Sequence, residues 1–131
     1  MVDQIALVGG GGHASSCVEL ISQSDGFQLL GYVAPEKSLL MENMDVEFLG
    51  NDQVLQRLVA DSICLHVAVG QIKSADKRSE LYSTITSLGG DLPNLVAANA
   101  VIGKTSSLGF GNFVGLFAVI NAKVQVGNNC I

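Results

Sequence analysis

The sequence has 131 residues, 48% of them apolar and 15% charged, enough apolar side chains for a buried core and too few charges for a disordered chain. A net charge of −5, with 5% aromatic residues and no Trp, argues against a nucleic-acid or anionic-membrane surface. No apolar run approaches the ~18 residues of a membrane span, and no basic segment precedes the first apolar run as a secretory signal peptide would require.

Ile5-Ala6-Leu7-Val8 is a continuous apolar run that ends in Gly9-Gly10-Gly11-Gly12. It fits a strand buried on both faces of a parallel sheet. Ala14, Cys17, Val18 and Ile21 follow at the spacing of one helix face. Strand, glycine turn and helix thus frame Gly9-x-Gly11-x-x-Ala14, a G-x-G-x-x-A pattern in the context its chemistry requires. Glycines let backbone N–H groups approach a phosphate, and the helix N-terminus beyond them carries partial positive charge.

Phe27–Val33 reads as the second strand. A dinucleotide site would place an acidic residue at its end, but Ala34-Pro35 stands there and only Glu36 follows. Residues 37–51 read as a loop with a short strand from Val46 to Leu49, and Glu42, Asp45 and Glu47 as a solvated face. Asp52 is placed to cap a short helix with Val54, Leu55, Leu58 and Val59 inward. Ile63–Val69 is the most apolar strand and ends at Gly70-Gln71, where open α/β sheets bind ligands. Ser74–Leu88 reads as a helix with Leu81, Ile85 and Leu88 inward, closed by Gly89-Gly90. Leu92–Val96 reads as a last strand, confined to an edge by Pro93. Residues 1–95 therefore alternate strands and helices as a parallel α/β sheet does.

Residues 96–131 align in sixes. First positions are Val96, Ile102, Leu108, Val114, Ile120 and Val126, all aliphatic. Second positions are Ala97, Gly103, Gly109, Gly115, Asn121 and Gly127, and fifth positions are small or medium. This hexapeptide repeat predicts a parallel β-helix of three faces per coil, with the aliphatic residues inside and the glycines at the turning positions. Cys17, Cys64 and Cys130 are too widely spaced for a disulfide framework or a CxxC site and read as reduced thiols. His66 reads as a core histidine, and the spacing of His, Cys and carboxylates shows no metal site.

Leu7-Val8-Gly9-Gly10-Gly11-Gly12-His13-Ala14 resembles the opening of sugar O- and N-acetyltransferases, the sialic acid O-acetyltransferase and bacterial UDP-aminosugar N-acetyltransferase group. Val119-Ile120-Asn121-Ala122 and Val126-Gly127-Asn128-Asn129-Cys130-Ile131 resemble the early coils of that family's left-handed β-helix. Ala68-Val69-Gly70 followed by Arg78 is loosely similar to its glycine-then-arginine stretch. The resemblance implies a small Rossmann-like domain (1–95) that binds a sugar or nucleotide-sugar, followed by an incomplete β-helix (96–131). It implies acetyl-CoA as co-substrate of the full-length protein, a homotrimer assembled through the β-helix, and a cytoplasmic location. Gly9, Gly11, Gly12 and His13 would line the substrate pocket, with Gly70 and Gln71 opposite. No residue here matches the family's catalytic His, which lies in later coils, so this chain alone is expected to be inactive. A nucleotide-binding module without acyl transfer and a purely oligomerising β-helix are the alternative readings.

Overall fold

The apolar run at Ile5–Val8 lies in the second-to-last strand of a four-stranded parallel sheet. The computed structural model describes residues 2–131. Strands β1 (Asp3–Val8), β2 (Phe27–Val33), β3 (Phe48–Gly50) and β4 (Cys64–Val67) pair in the order β3-β2-β1-β4. This is the start of the Rossmann order, with the switch point between β1 and β4. Both faces of β1 are buried. Ile5 and Leu7 pack with Cys17, Leu20 and Ile21 of α1 (Gly12–Ser22). Ala6 and Val8 pack on the other face with Leu55 and Leu58 of α3 (Leu55–Ala60) and Leu81 and Ile85 of α4 (Asp76–Ser87). Each such aliphatic side chain contributes roughly 1.5–3 kcal/mol by leaving water.

Several boundaries differ from expectation. The connection read as a loop contains α2 (Leu39–Asn43), whose N-cap Ser38 accepts from the Met41 N–H. The cap before α3 is Asn51, which accepts from the Gln53 N–H over a 3-10 turn (Asp52–Val54), so Asp52 is not the cap. On α1 the inward positions include Leu20, while Val18 is only partly buried. Leu88 lies just past α4 and is exposed, whereas Arg78, on the same helix, is buried.

The C-terminal part winds in coils of eighteen residues. Strands β5 (Leu95–Val96), β6 (Val101–Ile102) and β7 (Ser107–Leu108) pair in parallel with β8 (Phe113–Val114), β9 (Val119–Ile120) and β10 (Gln125–Val126). Three two-stranded sheets thus form three faces, each holding one strand from each coil. Each strand ends on a first position of the sixfold alignment. Val101, Ser107, Val119 and Gln125, just before those positions, are exposed, while Ile102, Leu108, Ile120 and Val126 turn inward. The segment predicted as an edge strand of the α/β sheet is instead β5, the first strand of this coil. Its Leu95 and Ala97 join the core beneath α1.

The glycines of the repeat serve another purpose than the predicted one. Positive φ falls on the fourth positions, Gly111, Phe117, Lys123 and Asn129, not on the second. Two of the second-position glycines, Gly103 and Gly109, are required by stacking. A Cβ on Gly103 would sit 2.9 Å from the Asn121 carbonyl carbon, and one on Gly109 would sit 2.6 Å from the Gly127 oxygen. Gly127 has nothing within 4 Å of such a Cβ. Gly109→Ala is therefore expected to lower stability by about 1–3 kcal/mol and Gly127→Ala to change it by less than about 0.5 kcal/mol, read from urea midpoints.

Polar side chains tie one coil to the next. Asn94 Oδ1 accepts from the Asn112 N–H, and Asn112 Oδ1 accepts from the Cys130 N–H, both at 2.8 Å. Asn99 and Thr105 accept in the same way from the N–H groups of Phe117 and Lys123. Asn112 is 1% exposed, and its Nδ2 donates to the Gly127 carbonyl at 2.8 Å, so this buried amide is satisfied on both sides.

Candidate functional site

The glycine turn lies at the carboxyl end of β1, between β2 and β4. The Gly9 N–H donates to the Val33 carbonyl at 2.8 Å, and the Ala68 N–H donates to the Val8 carbonyl at 2.9 Å. Gly9 has φ +133°, and a Cβ there would lie 2.8 Å from the Ala68 carbonyl carbon. Its local requirement is thus close backbone packing beside β4. Gly9→Ala is expected to cost about 2–3 kcal/mol, seen as a fall in melting temperature. Gly11 and Gly12 differ: nothing stands within 4 Å of a Cβ at either, and both are exposed. Gly11 is the N-cap of α1, whose first N–H groups point outward beyond it.

Gly12, His13, Gly70, Gln71, Ile72 and Ile131 line one cavity of about 560 Å³. Four of the six residues singled out in the sequence therefore face a common space, from the α1 N-terminus on one side and the segment after β4 on the other. Gly11 borders the helix start, and Gly9 lies behind it.

His13 is half-buried. Its ring stands edge-on to Phe113 of β8, with centroids 4.9 Å apart, and its Nε2 lies 3.7 Å from Cys17 Sγ. Burial, with the nearby Arg78 charge adding to it, lowers its pKa to about 4, so the ring is neutral at pH 7. Burial raises the Cys17 thiol to about 12.

Two residues that hold this region were not assigned a role from the sequence. Arg78 is 1% exposed and faces carbonyl oxygens. Its Nη1 donates to Val67 at 2.7 Å and to Val69 at 3.0 Å, at the end of β4. Its Nε donates to Asn129 at 2.9 Å and its Nη2 to Cys130 at 3.5 Å, in the second coil. Asn129 Nδ2 donates back to the Arg78 carbonyl at 3.2 Å. One guanidinium fork thereby joins the strand end beside Gly70 to the coil. The only sequence signal for it was an arginine following Gly70. Ser38 is the other. Its Oγ donates to the Gly10 carbonyl at 2.6 Å, and its N–H donates to the Tyr32 hydroxyl at 2.7 Å, which fixes the glycine turn against the loop after β2. At that loop Ala34 is buried and Glu36 exposed, so no acidic side chain is held at the end of β2.

The model of the PglD N-terminal domain matches residues 4–85. A search of curated proteins gives no match. Among solved structures, a mutant of perosamine N-acetyltransferase from Caulobacter crescentus, in complex with CoA and GDP-perosamine, is 26% identical, with a TM-score of 0.84 over 98% of this chain and 59% of that one. PerB from the same organism, also with CoA and GDP-perosamine, is 27% identical, with a TM-score of 0.81 over 98% of this chain and 58% of that one. The acetyltransferase domain of PglB from Neisseria gonorrhoeae, in complex with acetyl coenzyme A, shares the fold at 21% identity, with a TM-score of 0.85 over 98% of this chain and 60% of that one. The chain thus spans about 60% of the length of these relatives. The match over residues 4–85, together with the sheet order and the glycine turn, shows that the chain belongs to the PglD N-terminal domain family.

Proposed function

We propose that this chain is the sugar-nucleotide-holding front part of an acetyl-CoA-dependent acetyltransferase that acts on an amino- or hydroxyl-bearing sugar. The observation that carries this reading is the 560 Å³ cavity between the α1 N-terminus and Gly70-Gln71, at the switch point of the sheet. The helix start offers N–H groups and partial positive charge to a phosphate, and exposed Gly11 and Gly12 leave those groups open to approach. His13 supplies a neutral ring that can donate or accept a hydrogen bond. With a pKa of about 4 it is a poor base for deprotonating an attacking amine or hydroxyl, so its role is binding. Residues 1–95 hold the sugar nucleotide and residues 96–131 begin the β-helix. Acetyl-CoA is the second substrate, and no residue of this chain is assigned to it.

Val101 and Val119 stack in register on the outer side of β6 and β9, 62% and 65% exposed, close in sequence to Phe117 at 80%. Such an apolar face supports association through the coil, and the assembly we propose is a homotrimer. The three cysteines are unpaired thiols, and no helix of the described residues is long and apolar enough to cross a membrane. A cytoplasmic site of action agrees with both.

Calorimetry of the chain with GDP-perosamine, a UDP-amino sugar and NAD tests the binding role. A saturable heat with a nucleotide-sugar, weakened by His13→Ala, is expected; binding of NAD alone overturns the reading. Sedimentation tests the assembly, where a strictly monomeric species counts against the trimer.

A further inference from the structure

The fold brings together three side chains that the sequence keeps apart. His13 and Cys17 are one turn apart on α1, and His66 reaches them from β4. One potential ligand atom from each lies within 4.8 Å of the others. Cys17 and His66 are 0% exposed, and His13 borders the solvent-open cavity, which gives an entry path. His66 Nδ1 lies 3.4 Å from the Pro93 carbonyl. A carbonyl only accepts, so Nδ1 carries the proton and Nε2 presents a lone pair. That Nε2 is buried and has no hydrogen-bond partner among the described residues. A buried acceptor without a donor is uncommon, and a backbone carbonyl fixing the far nitrogen is the usual support of a metal-bound imidazole.

We propose that His13, Cys17 and His66 form a binding site for a soft monovalent cation, Cu(I). Two imidazoles and one thiolate make a trigonal set that copper accepts, and thiolate favours the soft ion. The His13 Nε2 to Cys17 Sγ separation of 3.7 Å already suits two ligands of one ion. Charge selects the valence. The Arg78 guanidinium acts electrostatically on all three residues, so the site already feels one buried positive charge. On binding, the Cys17 S–H proton passes to solvent as the S–Cu bond forms, and thiolate plus Cu(I) is neutral. Zn(II) in the same place would leave a net positive charge beside Arg78. The site shares His13 with the proposed sugar-nucleotide pocket, but its argument rests on Cys17 and His66, which do not line that cavity.

The test is anaerobic competition of the 131-residue chain with the Cu(I)–bicinchoninate complex, followed by the loss of its absorbance. The chain is expected to withdraw one equivalent. Cys17→Ala should weaken this by about 100-fold or more, and Cys64→Ala and Cys130→Ala should leave it unchanged. X-ray absorption of the loaded chain should show one sulfur and two nitrogen ligands, which decides the matter even if a His66 variant does not fold. Failure to withdraw Cu(I), retention by Cys17→Ala, dependence on Cys130, or equal affinity for Zn(II) against a Zn(II) indicator each overturns the proposal.

Discussion

Replacing Arg78 with Met is expected to lower the unfolding free energy by about 3–5 kcal/mol, a large share of the roughly 5–15 kcal/mol typical of a domain. The guanidinium bonds to four carbonyl oxygens, of Val67, Val69, Asn129 and Cys130. Met fills a similar volume but donates nothing, so the Val67, Val69 and Asn129 carbonyls lose this partner at about 1–3 kcal/mol each where water cannot replace it, while the Cys130 carbonyl keeps the Phe113 N–H. Arg78→Lys should recover only a minor part. A single ammonium cannot reproduce a fork that reaches β4 and the coil together. The effect should also be local. Amide exchange should rise at the coil residues that follow Asn112, because Asn129 and Cys130 lose their attachment to α4, while the amides of β1 and β2 keep their order of protection. A loss under about 1 kcal/mol in urea denaturation, or full rescue by Lys, would show that the arginine is a bystander.

That arginine marks the limit of what the sequence discloses. The strands β1, β2 and β4 are legible because each is an apolar run closed by Gly, Pro or Asp. The eighteen-residue coil is legible because six aliphatic residues recur every six positions, and the observed pairing of Val96 with Val114 and Ile102 with Ile120 is that repeat taken three at a time. Gly12 and His13 are placed locally by the strand–glycine–helix pattern, and Gly70 and Gln71 face them because β4 pairs beside β1. The rest depends on contacts between distant segments. Arg78 lies on a helix whose exposed face is polar, and nothing nearby in sequence distinguishes it from Lys77. Two of its four partners stand 51 and 52 positions further on, and the other two lie 11 and 9 positions before it on another element. His66 meets His13 and Cys17 only because β4 pairs with β1 in a particular register. The edge-strand reading of Leu92–Val96 failed for the same reason, since a short apolar segment pairs equally well with a sheet or with a coil eighteen residues later. The second-position glycines form a visible pattern, but at Gly103 and Gly109 the atoms that exclude a Cβ belong to the next coil.

Acidification should destabilise the metal-free chain through its two imidazoles, with the buried His66 dominant. Burial lowers the His66 pKa from 6.5 to about 3, and the Arg78 charge adds to the shift. The ring is neutral in the folded chain and is protonated near pH 6.5 once unfolded. The unfolded state therefore binds more protons between those values, and stability falls as pH falls. The slope for one such group is about 1.4 kcal/mol per pH unit, flat above about pH 7 and flat again below about pH 3. Between pH 7.5 and pH 4.5 His66 should account for about 2–3 kcal/mol of lost stability. His13, half-buried with a pKa of about 4, should add less. His66→Asn isolates the contribution, because an amide at that position can still donate toward the Pro93 carbonyl but does not titrate. In urea denaturation the stability difference between the parent chain and His66→Asn should shift by that amount in favour of the variant on going to pH 4.5. Other acid-sensitive groups cancel in the comparison. A difference that stays constant with pH would mean that His66 reaches its proton as easily in the folded chain as in the unfolded one, and that water reaches the ring.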